Sequence, residues 1–240
     1  MFGPLKTLLF LAVLWLPLSF FVWFYFAQLW VQPIAAIAGQ VMGWLFDGSF
    51  LRAELTQYQI DFFFRVQPEG LRPVELAFDV NPMIYGYCLP VLVGLVMATP
   101  LAQRKRALQI GVGIVLLIGV QVFGTVFDAL VSMGIRPPTK LAMLAGSPEA
   151  ASMLQPYLDH VRAMTLQTIP ANVIAFAYQF GYLVLPAITP VILWMIFNQA
   201  FIKSLVTTEG SEIPDPEAEP GTESPAARSK PVESDRGGGR

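Results

Sequence analysis

Cys88, Arg136 and His160 are the residues whose types could do covalent chemistry together. A thiolate that attacks, an imidazole that takes and returns a proton and a guanidinium that holds an oxyanion are the parts of a membrane cysteine transpeptidase or protease. The chain holds one Cys and one His, so chemistry of this kind has to use these two. Their settings point elsewhere. Cys88 lies about two turns into an apolar run, where a lone Cys behaves as a small buried hydrophobe. Arg136 precedes Pro137-Pro138 at the end of another run, the place of a surface anchor. His160 follows Asp159 on the polar side of an amphipathic stretch. A single Cys excludes an internal disulfide, a thiolate zinc site and a CxxC redox pair. HExxH, a P-loop and GxSxG are absent, so no catalytic residue, metal or cofactor is assigned.

A second group could do recognition chemistry. Tyr58, Ile60, Phe62, Phe64 and Val66 alternate with Gln57, Gln59, Asp61 and Arg65, and Val74, Leu76, Phe78 and Val80 alternate with Glu75, Ala77 and Asp79. Period two on either side of Gln67-Pro68-Glu69-Gly70 predicts a β-hairpin with strands near 57–66 and 73–80, Pro68 at the second turn position and Gly70 at positive φ. Leu51, Ala53 and Leu55 alternate in the opposite phase, which predicts a bulge or break near Thr56-Gln57. A two-stranded ribbon is marginal in water, so its apolar face must be covered. The 34–46 segment and an amphipathic helix could cover it, or Tyr58, Ile60, Phe62, Phe64, Val74, Leu76 and Phe78 could dock another protein.

The elements that position these groups are membrane helices. Of the 240 residues, 55% are hydrophobic and 13% are charged, against about 25% charged in an average soluble domain. This excludes an ordinary soluble enzyme. The net charge of −2 gives no reason to expect nucleic acid as a partner. No charge occurs from Thr7 to Phe46. A first span is expected at about 7–30, broken at Gln32-Pro33, with a second helical piece over 34–46. Its apolar run exceeds a signal-peptide core, so it is read as an uncleaved anchor. Further spans are expected at about 83–101, with Asn81-Pro82 as its start, at 107–130 and at 171–201. The expected fold is membrane α-helical: four transmembrane helices, a small extracytoplasmic β-hairpin and an amphipathic helix, forming a domain over 1–204.

Lys6, the Arg104-Lys105-Arg106 cluster and Lys203 fall on one side of such an arrangement, so that side and both termini are cytoplasmic. Segments 47–80 and 134–170 then face outward. Ser147-Pro148-Glu149 starts a helix whose apolar stripe is Ala150, Met153, Leu154, Tyr157, Leu158, Val161 and Met164, with Pro156 expected to bend or split it. Residues 205–240 hold twice as many acids as bases and many Pro, which predicts a disordered cytoplasmic tail. The spans contain no deep charge. Gln121 and Gln179 are the more central polar groups, with Gln28 and Asp128 near the outer ends and Gln109, Asn198 and Gln199 near the inner ones. Gly111, Gly113, Gly119 and Gly124 give the third span small-residue surfaces for close packing. Pro186 and Pro190 predict a bent or broken fourth span.

The stretch Asn81-Pro82-Met83-Ile84-Tyr85-Gly86-Tyr87-Cys88-Leu89-Pro90, continuing from Val91 to Ala98-Thr99-Pro100, resembles a pattern in the small membrane proteins found with exosortase H. That pattern is Asn-Pro, two residues, Tyr-x-Tyr-Gly-Leu-Pro and an apolar span. Cys88 stands where the pattern has a small residue such as Gly, which argues against a family-wide catalytic Cys here. The resemblance implies a bacterial inner-membrane accessory of a protein-sorting system whose enzyme cleaves C-terminal sorting tails outside the membrane. Its implied partners are the lipid bilayer and an exosortase or its sorted substrates. Exosortases themselves use Cys, Arg and His, but Tyr87-Cys88-Leu89 and Asp159-His160-Val161 do not look like their motifs. The expected function is therefore a non-catalytic accessory with an outward docking surface. A cysteine transpeptidase using Cys88 and a small transporter subunit are the alternatives.

Overall fold

The structure, a computed structural model, describes residues 4–136 and 148–210. It is mostly helical with one small sheet. The chain opens with α1, Pro4–Tyr25, and α2, Ala27–Leu45. The break between them falls at Phe26, not at Gln32-Pro33, and Pro33 lies inside α2. A proline removes one hydrogen bond from a helix. Against that loss, α2 buries Ala27, Val31, Ile34, Ala35, Ala38 and Met42 as one stripe, and packing of such a face dominates helix stability. α1 instead leaves Phe10, Val13, Phe21 and Tyr25 exposed, the all-round apolar surface of a helix that meets lipid.

Three antiparallel strands follow in the order β1 (Phe50–Thr56), β2 (Gln59–Val66) and β3 (Val74–Val80). β2 and β3 are the expected hairpin. The expected break near Thr56-Gln57 is a chain reversal that adds β1: Thr56 pairs with Gln59, and Gln57 sits at φ 58. Gly, Asn and Asp ordinarily hold such positions, so Gln57 gives no turn signal. The bulge lies instead between Phe50 and Arg52. In the second connection the Leu71 N–H donates to the Pro68 carbonyl at 3.1 Å, and Gly70 has φ 76. Pro68 therefore takes the first turn position, not the second.

α3 (Met83–Gly86) and α4 (Cys88–Ala98) share one apolar segment. The Asn81 side-chain oxygen accepts the Met83 N–H at 3.0 Å, as the Asn-Pro start predicts. The segment breaks at Tyr87, because Pro90 has no N–H to offer the carbonyl of Gly86. α4 ends at Ala98, short of the expected 101. α5 runs over Gln103–Gly134, and the N–H groups of Ile135 and Arg136 both donate to the Val131 carbonyl at its end.

α6, Pro148–Thr168, passes through Pro156 without splitting. α7 (Ala171–Gln179), a π-helical turn (Phe180–Val184) and α8 (Leu185–Phe197) form the last long apolar segment. The widened turn comes just before Pro186, whose missing N–H leaves the carbonyl of Tyr182 without its usual donor. α9, Gln199–Gly210, carries helix past residue 205. The rest of the acidic tail, Ser147 and Pro137-Pro138 lie outside the described residues.

Leu5–Tyr25, Gln103–Gly134 and Ala171–Phe197 are long and apolar enough to cross a membrane. Met83–Ala98 is a shorter apolar helix, about 24 Å long against about 30 Å of hydrocarbon.

The packing has two ends. At one, Leu8, Ala12 and Ala98 pack with Trp194 and Phe201. Gln109 and Asn198 exchange amide hydrogen bonds of 3.1 and 3.2 Å there, and Trp194 Nε1 donates to Thr99 Oγ1 at 2.9 Å. At the other end the apolar sheet face meets α2, α6 and the C-terminal half of α5, from Val122 to Met133.

Candidate functional site

The suspected catalytic residues are not assembled. Cys88 is fully buried, packs in a cluster with Leu92, Val96 and Leu117, and donates its S–H to the Tyr85 carbonyl at 3.3 Å. Arg136 lies beyond the C-terminal end of α5, its guanidinium 5.5 Å from the centre of the Tyr178 ring. Leu117 and Gly134 are about 25 Å apart along α5 at 1.5 Å per residue, so Cys88 and Arg136 occupy different levels of the bundle. Arg136 instead lines a small cleft with Gln155, Asp159 and Arg162. His160 is exposed on α6.

The residues singled out for docking divide by face. Ile60, Phe62, Phe64, Leu76 and Phe78 are buried in the chain's own core, and Val74 is partly buried against it. The Phe64 ring meets Phe46, Phe50 and Phe78 edge-on at centroid distances of 5.7, 5.5 and 5.9 Å. Tyr58, at the β1–β2 turn, is exposed. On the outer face Arg52 bonds Glu54 on its own strand and Glu75 across the sheet, and stacks 4.1 Å over Phe63. The hydrogen bonds to Glu54 and then Glu75 push the Arg52 pKa up. The sheet therefore leaves its outer face exposed and buries its apolar face.

The Asn81–Pro90 stretch builds a polar seam inside the bundle. Tyr85 is fully buried, and its ring lies on Gly124, where an added Cβ would come within 2.6 Å of it. Gly86 lets Trp23 approach in the same way, at 2.6 Å from its own missing Cβ. The Tyr85 ring meets Tyr182 of the π-helical turn edge-on at 6.2 Å, and Tyr182 stacks on Tyr178 at 5.9 Å. Along α5, Gln121, Thr125 and Asp128 present one face to this group. Trp30 Nε1 donates to the Gln121 side-chain oxygen at 3.2 Å. The Tyr85 hydroxyl faces the Asp128 side chain, within reach of a hydrogen bond, and the buried Thr125 hydroxyl has no partner among the described residues. Gln121 and Asp128 are legible as polar positions in the third span. That Tyr85 joins them is not, because the two stretches are far apart in sequence.

A groove of about 560 Å³ runs between β1 and α2, lined by Ala35, Ala36, Gly39, Gly43, Ala53 and Leu55, with Gln32 and Gln40 also on it. A Cβ on Gly39 would fall 3.1 Å from the Ala53 Cβ, and one on Gly43 would fall 3.3 Å from the Phe50 ring. The sequence signal for this approach is the small residue at every fourth place, Ala35, Gly39 and Gly43. Sequence reasoning that concentrated on the glycines of the third span missed it.

In comparison with known proteins, the family model described as exosortase H-associated membrane protein matches residues 3–201. No curated protein and no solved structure matches the chain.

Proposed function

Because the chain belongs to the exosortase H-associated membrane proteins, we propose that it is a non-catalytic accessory of an exosortase-type protein-sorting system. It sits in the bacterial inner membrane with both termini cytoplasmic and offers its sheet end as a docking surface outside. The observation that carries this reading is the division of the molecule into two ends. The bundle end with Ala98, Trp194 and Phe201 has Lys6, Arg104, Lys105, Arg106 and Lys203 flanking it, and basic flanks mark the cytoplasmic side. The sheet and α6 pack at the other end of α5, on the side where an enzyme that cleaves sorting tails would work. Met83–Ala98 is the proposed fourth crossing. It packs against α1, α5 and α8.

The non-catalytic part of the reading is supported by the burial of Cys88 and its separation from Arg136. The reading needs no cofactor and no metal. It is tested in cells carrying a tagged exosortase and its substrate. The tagged enzyme is expected to co-purify with the chain, and Cys88→Ala is expected to leave substrate processing intact at matched membrane levels. Lost processing with Cys88→Ala present at normal amount overturns the non-catalytic reading. A phosphatase fused after Val66 is expected to be active, and an inactive fusion overturns the orientation.

A further inference from the structure

We propose that the groove between β1 and α2 binds an extended segment of the partner protein as a fourth strand of the sheet, a deepening that rests on the accessory reading above. Among the described residues β1 is an edge strand, paired only with β2. Thr56 and Gln59 close a two-residue turn, so they form a hydrogen-bonded pair, and the pairs Glu54–Asp61 and Arg52–Phe63 repeat it at every second place. Ala53 and Leu55 therefore turn their N–H and C=O away from β2, toward the edge. These same two residues line the groove. Backbone donors and acceptors at strand spacing are complemented by another peptide backbone, which identifies the occupant as polypeptide rather than lipid.

The walls agree with that occupant. α2 faces the edge with Ala35, Ala36, Gly39 and Gly43, so that wall carries only small side chains, and Phe50 and Leu55 are the large apolar residues of the opposite wall. Alternate side chains of an added strand point into the groove, so the segment carries small residues at every second position. Gln32 and Gln40 are exposed on α2 beside the groove, and neither amide is hydrogen-bonded among the described residues. Amides of this kind bond the peptide groups of a bound segment. The partner named by the accessory reading is the exosortase, so the segment is assigned to that chain and not to a second copy of this one.

The test uses the full chain in membranes with the tagged exosortase. A photo-reactive residue at Ala36 is expected to crosslink to the exosortase, and one at Met153, exposed on α6, is not. Ala36→Phe fills the groove from an exposed position and leaves the core untouched. It is expected to lower co-purification at least about tenfold at matched membrane levels. Amide exchange at Ala53 and Leu55 is expected to slow at least about tenfold in the complex, while Arg52 and Glu54 change little. Full co-purification with Ala36→Phe overturns the groove as the site and leaves the accessory reading standing. Crosslinks from Ala36 to a second copy, to the sorted substrate alone or to lipid overturn the assigned occupant. No co-purification by the unaltered chain overturns both readings.

Discussion

Gly124 and Gly119 lie on the same helix, but adding one methyl group at each should have opposite effects. At Gly124 an ideal Cβ falls 2.6, 2.8 and 2.9 Å from three carbons of the Tyr85 ring, whereas at Gly119 nothing lies within 4 Å. Carbon atoms prefer about 3.5–4.0 Å, so Gly124→Ala requires the ring to retreat by about 1 Å. Tyr85 has little freedom to do so. It is fully buried, Tyr182 meets it at 6.2 Å, and the adjacent Gly86 is closed off by Trp23. Overpacking of this kind costs about 1–3 kcal/mol. Replacing Gly by Ala in a helix interior gains about 0.8–1.0 kcal/mol whatever the neighbours. Gly119→Ala should therefore show the gain alone, and Gly124→Ala the gain minus the clash. The difference between the two variants isolates the clash at about 1–3 kcal/mol, or about 5- to 140-fold in the folded-to-unfolded ratio. Reversible denaturant unfolding of the full chain in detergent micelles measures it. Adding Tyr85→Ala to both backgrounds should remove most of the difference, since the cavity cost is then common to both. Equal stability of the two glycine variants, with Tyr85 present, would refute the packing of the Asn81–Pro90 stretch described here.

Phe62→Ala should cost about 3–5 kcal/mol, because the ring is fully buried between the sheet and the helices. Tyr58→Ala, at an exposed turn position, should change stability by less than about 0.5 kcal/mol in the same unfolding experiment. Cys88 should resist a thiol-reactive maleimide in the folded protein and label fully after denaturation, because its side chain has no exposed surface. Mass spectrometry reads the adduct, and rapid labelling of the native chain would contradict the burial.

The sequence determined whatever depends on local pattern. Uncharged runs of sufficient length marked the apolar helices, alternation marked β2 and β3, Asn81-Pro82 marked the start of α3, and the period of Leu154, Tyr157, Leu158 and Val161 marked the face that α6 turns to the core. Each is a preference that neighbouring residues express together. Prolines are less legible. Pro186 and its π-helical turn fit the expected break, but Pro33 and Pro156 stay inside helices because packing of the surrounding stripe exceeds the loss of one hydrogen bond, and Pro90 breaks a helix that was expected to be whole. β1 was visible only as a phase change, since Gln57 reverses the chain without the residue types that signal a turn.

Tertiary structure alone decided the sites. Ile60, Phe62 and Phe64 alternate as a docking face would, yet burying each large apolar side chain gains about 1.5–3 kcal/mol, and α2, α5 and α6 supply the cover. Cys88, Arg136 and His160 have types that could act together, but Cys88 sits among apolar helix faces while Arg136 lies at the end of α5. The approach of Tyr85 to Gly124 and of Ala53 to Gly39 joins segments distant in the chain. No local preference encodes such a contact: it follows from which helix lies beside which, and that is set by the packing of the whole chain.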